Sequence, residues 1–431
     1  VSDAPPARIG KYPVIKELGR GATSRVYLGR DPFANRKVAI KVVRAEAEAD
    51  TDTRRRFDRV FLNEAALVGK LMHPHIMQIF DADVTEEYSY IVMEYVEGHT
   101  LDYYCDISRL LPIERVVEIA FKCSLALDFA QRHGVIHRDI KPANILISAS
   151  SEIKITDFGA AKLDTAEHTL LQGIGSPAYM SPEQVLEREL TQQTDIYSLG
   201  VVMYQMLTGK LPFVASNKAS LLYQIVHIEA VPPSVHRADL PTALNEVVTK
   251  AMAKDVQQRF QSWAEFSRHL TQSYRHLDLP AEAIAESEKF NIIRSLAFFR
   301  ELRDIEIWEV LRIGAWRRHP REKVVIKEGD LGESFFVIVE GECRVTKSGK
   351  ALDTLHAGDC FGELLYFEET RARRITTITA SASLTVIEIK AQALRQASDV
   401  LQKQINKAFM RILIDRLTLA NSRLSARADD V

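Results

Sequence analysis

Apolar and polar positions change their period several times along the chain. Between residues 12 and 43 the apolar positions fall in short runs, Ile15–Leu18, Tyr27–Leu28 and Val38–Val43, interrupted by Gly19, Gly21 and Gly29, and predict strands. From 54 to 71 the spacing shifts: Phe57, Phe61, Ala65, Val68 and Leu71 recur on one face and predict a helix. Tyr90–Val96 reads as a strand ending in a polar turn at Glu97-Gly98, and 111–133 as a long helix. Residues 273–289 are charged and helix-favouring, as a connector would be. Beyond them, Phe298-Phe299 leads into a helix ending near Ile313. Short alternating strands follow, closed by glycines at 329, 332, 341, 349, 358 and 362. Such even spacing predicts a small β-barrel or jelly roll. Helical spacing returns over 392–424, with Leu401, Ile405, Phe409, Ile412, Leu413 and Leu417 on a broad apolar face. That face suits a lid over a ligand, a pairing surface between two copies, or packing on the roll, and all three readings stay open.

Composition narrows the classes. With 431 residues, 46% hydrophobic and 26% charged, the chain is ordinary globular protein of two or three domains. A formal charge of −2 offers no reason to expect nucleic acid or an anionic membrane as partner. Cys105, Cys123, Cys343 and Cys360 are scattered, so they read as reduced thiols rather than a disulfide or zinc framework. The polar, proline-rich opening Val1–Pro6 does not resemble a signal sequence, and the apolar stretch Leu199–Leu207 is far short of the ~20 residues that span a bilayer. The expectation is a soluble, cytoplasmic protein with no integral membrane segment.

The chemistry concentrates in His137-Arg138-Asp139-Ile140-Lys141-Pro142-Ala143-Asn144 and, shortly after, Asp157-Phe158-Gly159. Two carboxylates, a lysine and an amide on two connected loops can hold metal ions, a triphosphate and an incoming hydroxyl. These runs resemble the catalytic loop and metal-binding motif of eukaryotic-type protein kinases, and Asp-Ile-Lys-Pro-Ala-Asn is similar to the serine/threonine members rather than the tyrosine ones. Phosphoryl transfer asks a protein mainly to position reactants and spread charge. On that resemblance Asp139, Lys141 and Asn144 are the catalytic residues. Asp139 accepts the hydroxyl proton and Lys141 neutralises the γ-phosphate. Asn144 and Asp157 offer hard oxygens to Mg²⁺ (or Mn²⁺). His137 and Phe158 are packing residues.

Other segments extend the likeness. Gly19 and Gly21, between strands, let backbone approach phosphate, and Lys41 closes a Val-Ala-Ile run where a lysine needs an anionic partner. The glycine-rich loop and strand lysine of the family are similar, with Ser24 standing where the third glycine would be. Glu64 is expected to pair with Lys41, and Met93, Glu94 and Val96 to form the hinge at the adenine. The resemblance completes the ATP site with Leu18, Val26, Ala39 and Asp157. His73-Pro74-His75 reads as a turn rather than a metal site. The stretch from Asp157 to Ser181-Pro182-Glu183 resembles an activation segment, with Thr165 and Thr169 as sites of autophosphorylation, Arg138 as the phosphate's partner, and Ser176 in a structural role near Asp139. Glu183, Arg259 and Asp195 match buried supporting groups. The likeness covers 10–272, with a small lobe over 10–96 and a large lobe over 97–272, behind a tail at 1–9. A pseudokinase scaffold predicts the loss of Lys41, Asp139 or Asp157, and all three are present.

In the later region, Ser334–Gly341 and Ala357–Leu364 resemble the cyclic-nucleotide-binding domain, placed here over 290–431. The resemblance implies a cassette of Gly362, Glu363, Leu364, Arg374 and Ile375, with Glu363 on the ribose hydroxyl and an arginine on the cyclic phosphate. Arg373 fits an ungapped count from Glu363. Arg374 fits the register of the strand Ile375–Ala380 and is preferred. Ile375 and Leu365 depart from the small or hydroxyl residues usual at their positions, and the missing hydroxyl favours cyclic AMP over cyclic GMP.

The expected fold is α+β: a two-lobed protein kinase fold followed by a β-roll with flanking helices. The expected activity is ATP-dependent phosphorylation of protein serine and threonine hydroxyls, regulated by cyclic nucleotide. The competing reading keeps the kinase and gives the roll a docking or homodimerisation role.

Overall fold

The computed structural model describes residues 5–21, 24–43, 51–85, 87–148, 152–158, 177–274, 286–367 and 373–428; the side chains of 51–56, 60, 64, 274, 286–288, 365, 367 and 419–428 are not described. The chain forms two compact units, Val1–Pro280 and Ala281–Val431. Much of the connector expected at 273–289 lies outside the described residues.

In the first unit, β1 (Arg8–Ile9), β2 (Tyr12–Arg20), β3 (Ser24–Arg30), β4 (Lys37–Val43), β5 (Ile79–Val84) and β6 (Ser89–Glu94) form one antiparallel sheet in the order β1-β2-β3-β4-β6-β5. Helix α1 (Thr51–Gly69) packs against β5. Alternation along β4 explains what the sheet does. Val38, Ile40 and Val42 enter one buried cluster with Tyr12, Tyr27, Tyr90 and Val92. Ala39, on the opposite face, joins Met77 and Met93. A pleated strand sends alternate residues the same way, so Lys41 shares the face of Ala39. A slip of one residue would turn the lysine to the other side.

The rest of this unit is mostly helical. β7 (Gly98–Thr100), β8 (Ile145–Ser148) and β9 (Ile153–Ile155) form a small sheet beside α2 (Ile113–Arg132), α3 (Pro182–Val185), α4 (Gln192–Thr208), α5 (Lys218–His227), α6 (Thr242–Ala251) and α7 (Trp263–Tyr274). α2 packs on both α4 and α7. α4 is buried around nearly its whole circumference, as a helix with so little polar surface must be. It opens in a capping box at Thr191 and stops at Gly209, whose φ of 69° admits the left-handed turn; a Cβ there would meet Ile107 Cγ1 at 2.5 Å. His73 and His75 are buried, and burial pushes both imidazoles well below their usual range, His73 to about 3.

The second unit begins with α8 (Glu286–Ser295) and α9 (Asp304–Ile313). Its strands are β10 (Gly314–His319), β11 (Val324–Ile326), β12 (Ser334–Glu340), β13 (Cys343–Lys347), β14 (Lys350–Leu355), β15 (Cys360–Phe361), β16 (Thr377–Ala380) and β17 (Leu384–Lys390). They form two four-stranded sheets, β10-β17-β12-β15 and β11-β16-β13-β14, the β-roll expected from the glycine-punctuated strands. Adjacent phenylalanines on β12 serve opposite faces. Phe336 enters the roll core with Ile338, Cys343, Phe361 and Val386. Phe335 points outward, 6.5 Å from the Phe298 ring and 5.0 Å from Phe409. Helix α10 (Leu364–Phe367) follows β15, and α11 (Ala391–Arg395) and α12 (Asp399–Ala428) end the described chain.

The single helix expected over 392–424 is two helices. The chain breaks after Arg395 because Ser398 starts a new one: its Oγ accepts from Leu401 N, and the Glu309 carboxylate takes its N–H and O–H at 2.7 and 2.6 Å. The expected apolar face is also shorter. Leu401, Ile405 and Phe409 are buried, but Leu417 is 67% exposed. Among the described residues no helix is long and apolar enough to cross a membrane.

Candidate active site

Asp195 lies in the first turn of α4 and accepts from the backbone N–H groups of His137 and Arg138, each at 2.8 Å. Burial pushes its carboxyl upward in pKa, and those two N–H groups and the positive charges near it work the other way. The grip secures a strained turn, since Arg138 has φ 69°, left-handed for a residue with a Cβ. His137 Nε2 meets Thr156 O at 2.9 Å and its ring lies 4.5 Å from Phe158, tying this loop to the Asp157 segment. A carbonyl only accepts, so Nε2 carries the proton.

The next residues converge. Lys141 Nζ donates to Asp139 Oδ2 at 2.6 Å, and Asn144 Nδ2 donates to Asp139 Oδ2 at 2.9 Å and to Asp139 O at 2.8 Å. Asp157, at φ 62°, binds Lys41 Nζ at 2.8 Å. Burial would raise the Asp157 pKa, yet its carboxyl is held below its ordinary value, chiefly by the Lys41 charge and hydrogen bond. Two residues after Ser181, a second anchor appears. Glu183 is buried and meets Arg259 in a two-pronged pair at 2.7 and 2.8 Å.

Beside Lys41 runs an apolar slot. Ala39, Met77 and Met93 form its buried part, with Val26, Ile91, Val96 and Leu146 packed against them. Leu18 stands more open at the end of β2, where Gly21 N donates to Ser24 O at 2.8 Å. Glu94 pairs with Lys154 at 2.7 Å. A cavity of about 640 Å³, open to solvent, continues from Lys41 and Asp157 past Met93 to Phe61 and Val68. Glu64 lies on α1, but its side chain is outside the described residues; the partner seen for Lys41 is Asp157. Thr165, Thr169 and Ser176 also lie outside the described residues. Arg138 Nε is buried with no hydrogen-bond partner among the described residues.

The second unit holds its own pocket, about 930 Å³ of solvent-open space lined by Phe361, Gly362, Glu363, Leu364, Arg373, Arg374 and Ile375 among others. Arg374 donates to Ser334 O at 2.7 Å and Gly362 O at 3.3 Å. Its slot requires glycine: a Cβ on Gly332 or Gly362 would fall 2.2 or 2.5 Å from the guanidinium. Burial lowers the Arg374 pKa against the pull of Glu363 and Glu388. Arg373 is exposed and donates to Gly329 O at 2.7 Å. Ile375 and Leu364 are exposed, at 55% and 41%. Glu363 is buried under Arg416 of α12, which reaches it at 2.7 Å.

Sequence reasoning missed Leu146, Gln184 and Arg416. Alternation along Ile145–Ser148, with Ile145 and Ile147 buried on the other face, could have identified Leu146. No local signal marks Arg416, whose partner lies in another element.

Comparison with known proteins agrees with this division. The model of the protein kinase domain matches residues 12–274, and that of the cyclic nucleotide-binding domain matches 316–399. The chain is similar to a probable serine/threonine-protein kinase PknB of Lactococcus lactis, 40% identical over 256 residues, covering 58% of this chain and 40% of that protein. It is also similar to the serine/threonine-protein kinases PknB of Mycobacterium leprae (38% over 286 residues, 65% and 45% of the two chains) and Mycobacterium tuberculosis (37% over 298 residues, 67% and 47%). The match therefore spans less than half the length of these relatives.

Proposed function

The chain belongs to the protein kinase family, and from that premise we propose that it transfers the γ-phosphate of ATP to serine and threonine hydroxyls of protein substrates. The observation that carries this is the Asp139 carboxylate held between Lys141 and Asn144, in the same unit as the Lys41–Asp157 pair. The residues fit both groups the reaction needs. Asn144 spends its N–H on Asp139, which leaves an amide oxygen, and Asp157 adds a carboxylate; both are the hard oxygens Mg²⁺ (or Mn²⁺) selects. The apolar slot of Val26, Ala39, Met93 and Leu146 suits a purine, flanked by Leu18, Gly19, Gly21, Glu94 and Val96.

When bound, the metal supplies positive charge beside the phosphate oxygens. Lys41 holds phosphate while Asp157 and Asn144 hold the metal. Asp139 orients the acceptor hydroxyl and takes its proton. Lys141, already against Asp139, offsets negative charge at the point of transfer. Glu64 supports Lys41 on this reading. Thr165 or Thr169 is autophosphorylated, and the spare Arg138 Nε–H is one of the donors that phosphate meets. Ser176 braces the segment. Four buried thiols and an ATP requirement suit work in the cytoplasm.

For the second unit, the cassette of Gly362, Glu363, Leu364, Arg374 and Ile375 takes a cyclic nucleotide, cyclic AMP in preference to cyclic GMP, with Arg374 rather than Arg373 on the phosphate. Support comes from the half-buried Arg374 guanidinium in its glycine slot, facing the pocket that also holds Glu363. Ligand binding then shifts the kinase through differential affinity for two states. A second reading rests on α12. Arg416 already occupies Glu363, and Ile414 and Leu417 are 63% and 67% exposed, which suits a pairing surface between two copies.

One experiment separates these readings. Phosphate transfer by the full chain from Mg-ATP is measured with and without cyclic AMP or GMP, together with melting temperature and oligomeric state. Nucleotide-dependent transfer with a raised melting temperature supports the sensor. A melting temperature unmoved at millimolar nucleotide in a dimeric protein supports pairing, and no transfer at all defeats the kinase reading.

A further inference from the structure

Gln184 is the third residue of α3 and does two jobs with one amide. Its backbone N–H donates to Ser181 Oγ at 3.3 Å, and its Oε1 accepts from Ser181 N at 3.0 Å, closing a capping box. Its Nε2 donates at 2.7 Å to the carbonyl oxygen of Arg138. The orientation of this amide follows from chemistry alone. Ser181 N–H can only donate and Arg138 C=O can only accept, so neither contact survives a flipped amide.

The oxygen it holds is not an arbitrary one. It belongs to the peptide plane between Arg138 and Asp139, directly after the left-handed φ of 69°. The other end of that plane, Asp139 N–H, donates to His137 Nδ1 at 3.3 Å. The tautomer fits, because Nε2 carries the proton toward Thr156 O. Asp195 fixes the preceding N–H of Arg138. The plane from which Asp139 departs is thus held on one side by a long imidazole contact and on the other by the much shorter Gln184 bond. Gln184 itself stands on a firm base, since its neighbour Glu183 is locked to buried Arg259.

We propose that Gln184 is a positioning residue for phosphoryl transfer, clamping the Arg138–Asp139 peptide so that Asp139 faces the acceptor hydroxyl. This rests on the kinase reading above. The same amide joins the start of α3, which follows directly on the segment ending at Ser181, to the loop that carries Asp139. A displacement of α3 therefore reaches Asp139 without any intermediary.

The cap and the clamp can be separated by substitution. Gln184→Glu keeps an oxygen for Ser181 N–H, as glutamate does in this capping position, but sets a carboxylate oxygen against Arg138 O in place of a donor. Gln184→Ala removes both functions. In the full chain, Q184E is expected to lower kcat about tenfold, the equivalent of ~1.4 kcal/mol, with KM for ATP unchanged and a melting temperature within roughly 1 °C of the parent. Q184A is expected to lose comparable kcat and also melting temperature. A Q184E protein with parental kcat overturns the inference, as does one whose loss of kcat comes with a fall in melting temperature equal to that of Q184A, since that pattern is a merely structural role. An inactive parent protein defeats the kinase reading and this inference together, and so is told apart from failure of the clamp alone.

Discussion

The Glu183–Arg259 pair allows a sharp test of what holds the first unit together. Arg259 is 1% exposed, and its guanidinium places every N–H it has. Nε donates to Ala253 O, Nη1 to Glu183 Oε1 and Gln193 O, and Nη2 to Glu183 Oε2 and Lys254 O. Glu183→Ala removes the counter-charge and two acceptors while leaving the cation buried. Breaking a buried pair this way costs roughly 3–5 kcal/mol. For a unit this large, 1 kcal/mol moves the melting temperature by about 2–4 °C, so the first unit's transition should fall by roughly 6–20 °C. Differential scanning calorimetry of the full chain at neutral pH reads this directly. The double variant Glu183→Leu with Arg259→Met removes both charges and should recover part of the loss, because no ion is then left buried, while the carbonyls of Ala253, Gln193 and Lys254 still lose their donors. An E183A transition within about 1 °C of the parent, or a double variant as damaged as the sum of the singles, would refute the claim that an uncompensated buried charge sets the cost.

The same carboxylate predicts a pH dependence. Burial raises the Glu183 pKa, but Arg259 and Thr194 outweigh it and hold the carboxyl below its usual value. A depressed pKa contributes stability above the unfolded value of about 4.3, lost as pH falls through the folded one. The melting difference between parent and Glu183→Gln should therefore be largest at neutral pH and shrink below pH ~4; a constant difference down to pH 3 contradicts the sign. Asp139→Asn keeps the shape of the loop and removes the proton acceptor, so kcat should drop by about 10²–10⁴ with the melting temperature nearly unchanged; radiolabelled phosphate transfer measures it, and retained activity overturns the role. In the second unit, Arg374→Ala should weaken cyclic AMP binding tenfold or more, from the loss of a charge-assisted bond of roughly 1.5–3 kcal/mol, while Arg373→Ala should cost much less. Calorimetric titration decides, and the reverse order returns the phosphate to Arg373.

Much of this molecule can be read from its chain. The alternation of Val38, Ile40 and Val42 against Ala39 and Lys41 needs no partner to be visible, because a strand's period of two sorts side chains by face before the sheet assembles. Asp139, Lys141 and Asn144 lie within six residues of one another, so a short loop brings them together by itself. Glycine-closed strands likewise announced a roll.

Tertiary structure decided what happens between distant segments. Lys41 meets Asp157, Gln184 meets Arg138 O, and Arg416 covers Glu363, each across elements far apart in the chain. None of these contacts leaves a periodic or motif trace, because a long polar side chain can reach any partner that packing brings near. Helical spacing over 392–424 was similarly silent about the break at Ser398, which depends on a carboxylate from Glu309 in another helix. By itself the sequence determined most of the elements, the residue types of the loop that carries Asp139 and the face each strand residue presents, since those depend on local geometry. The folded chain alone decided which charges compensate one another, because that depends on the distances and burial that packing sets.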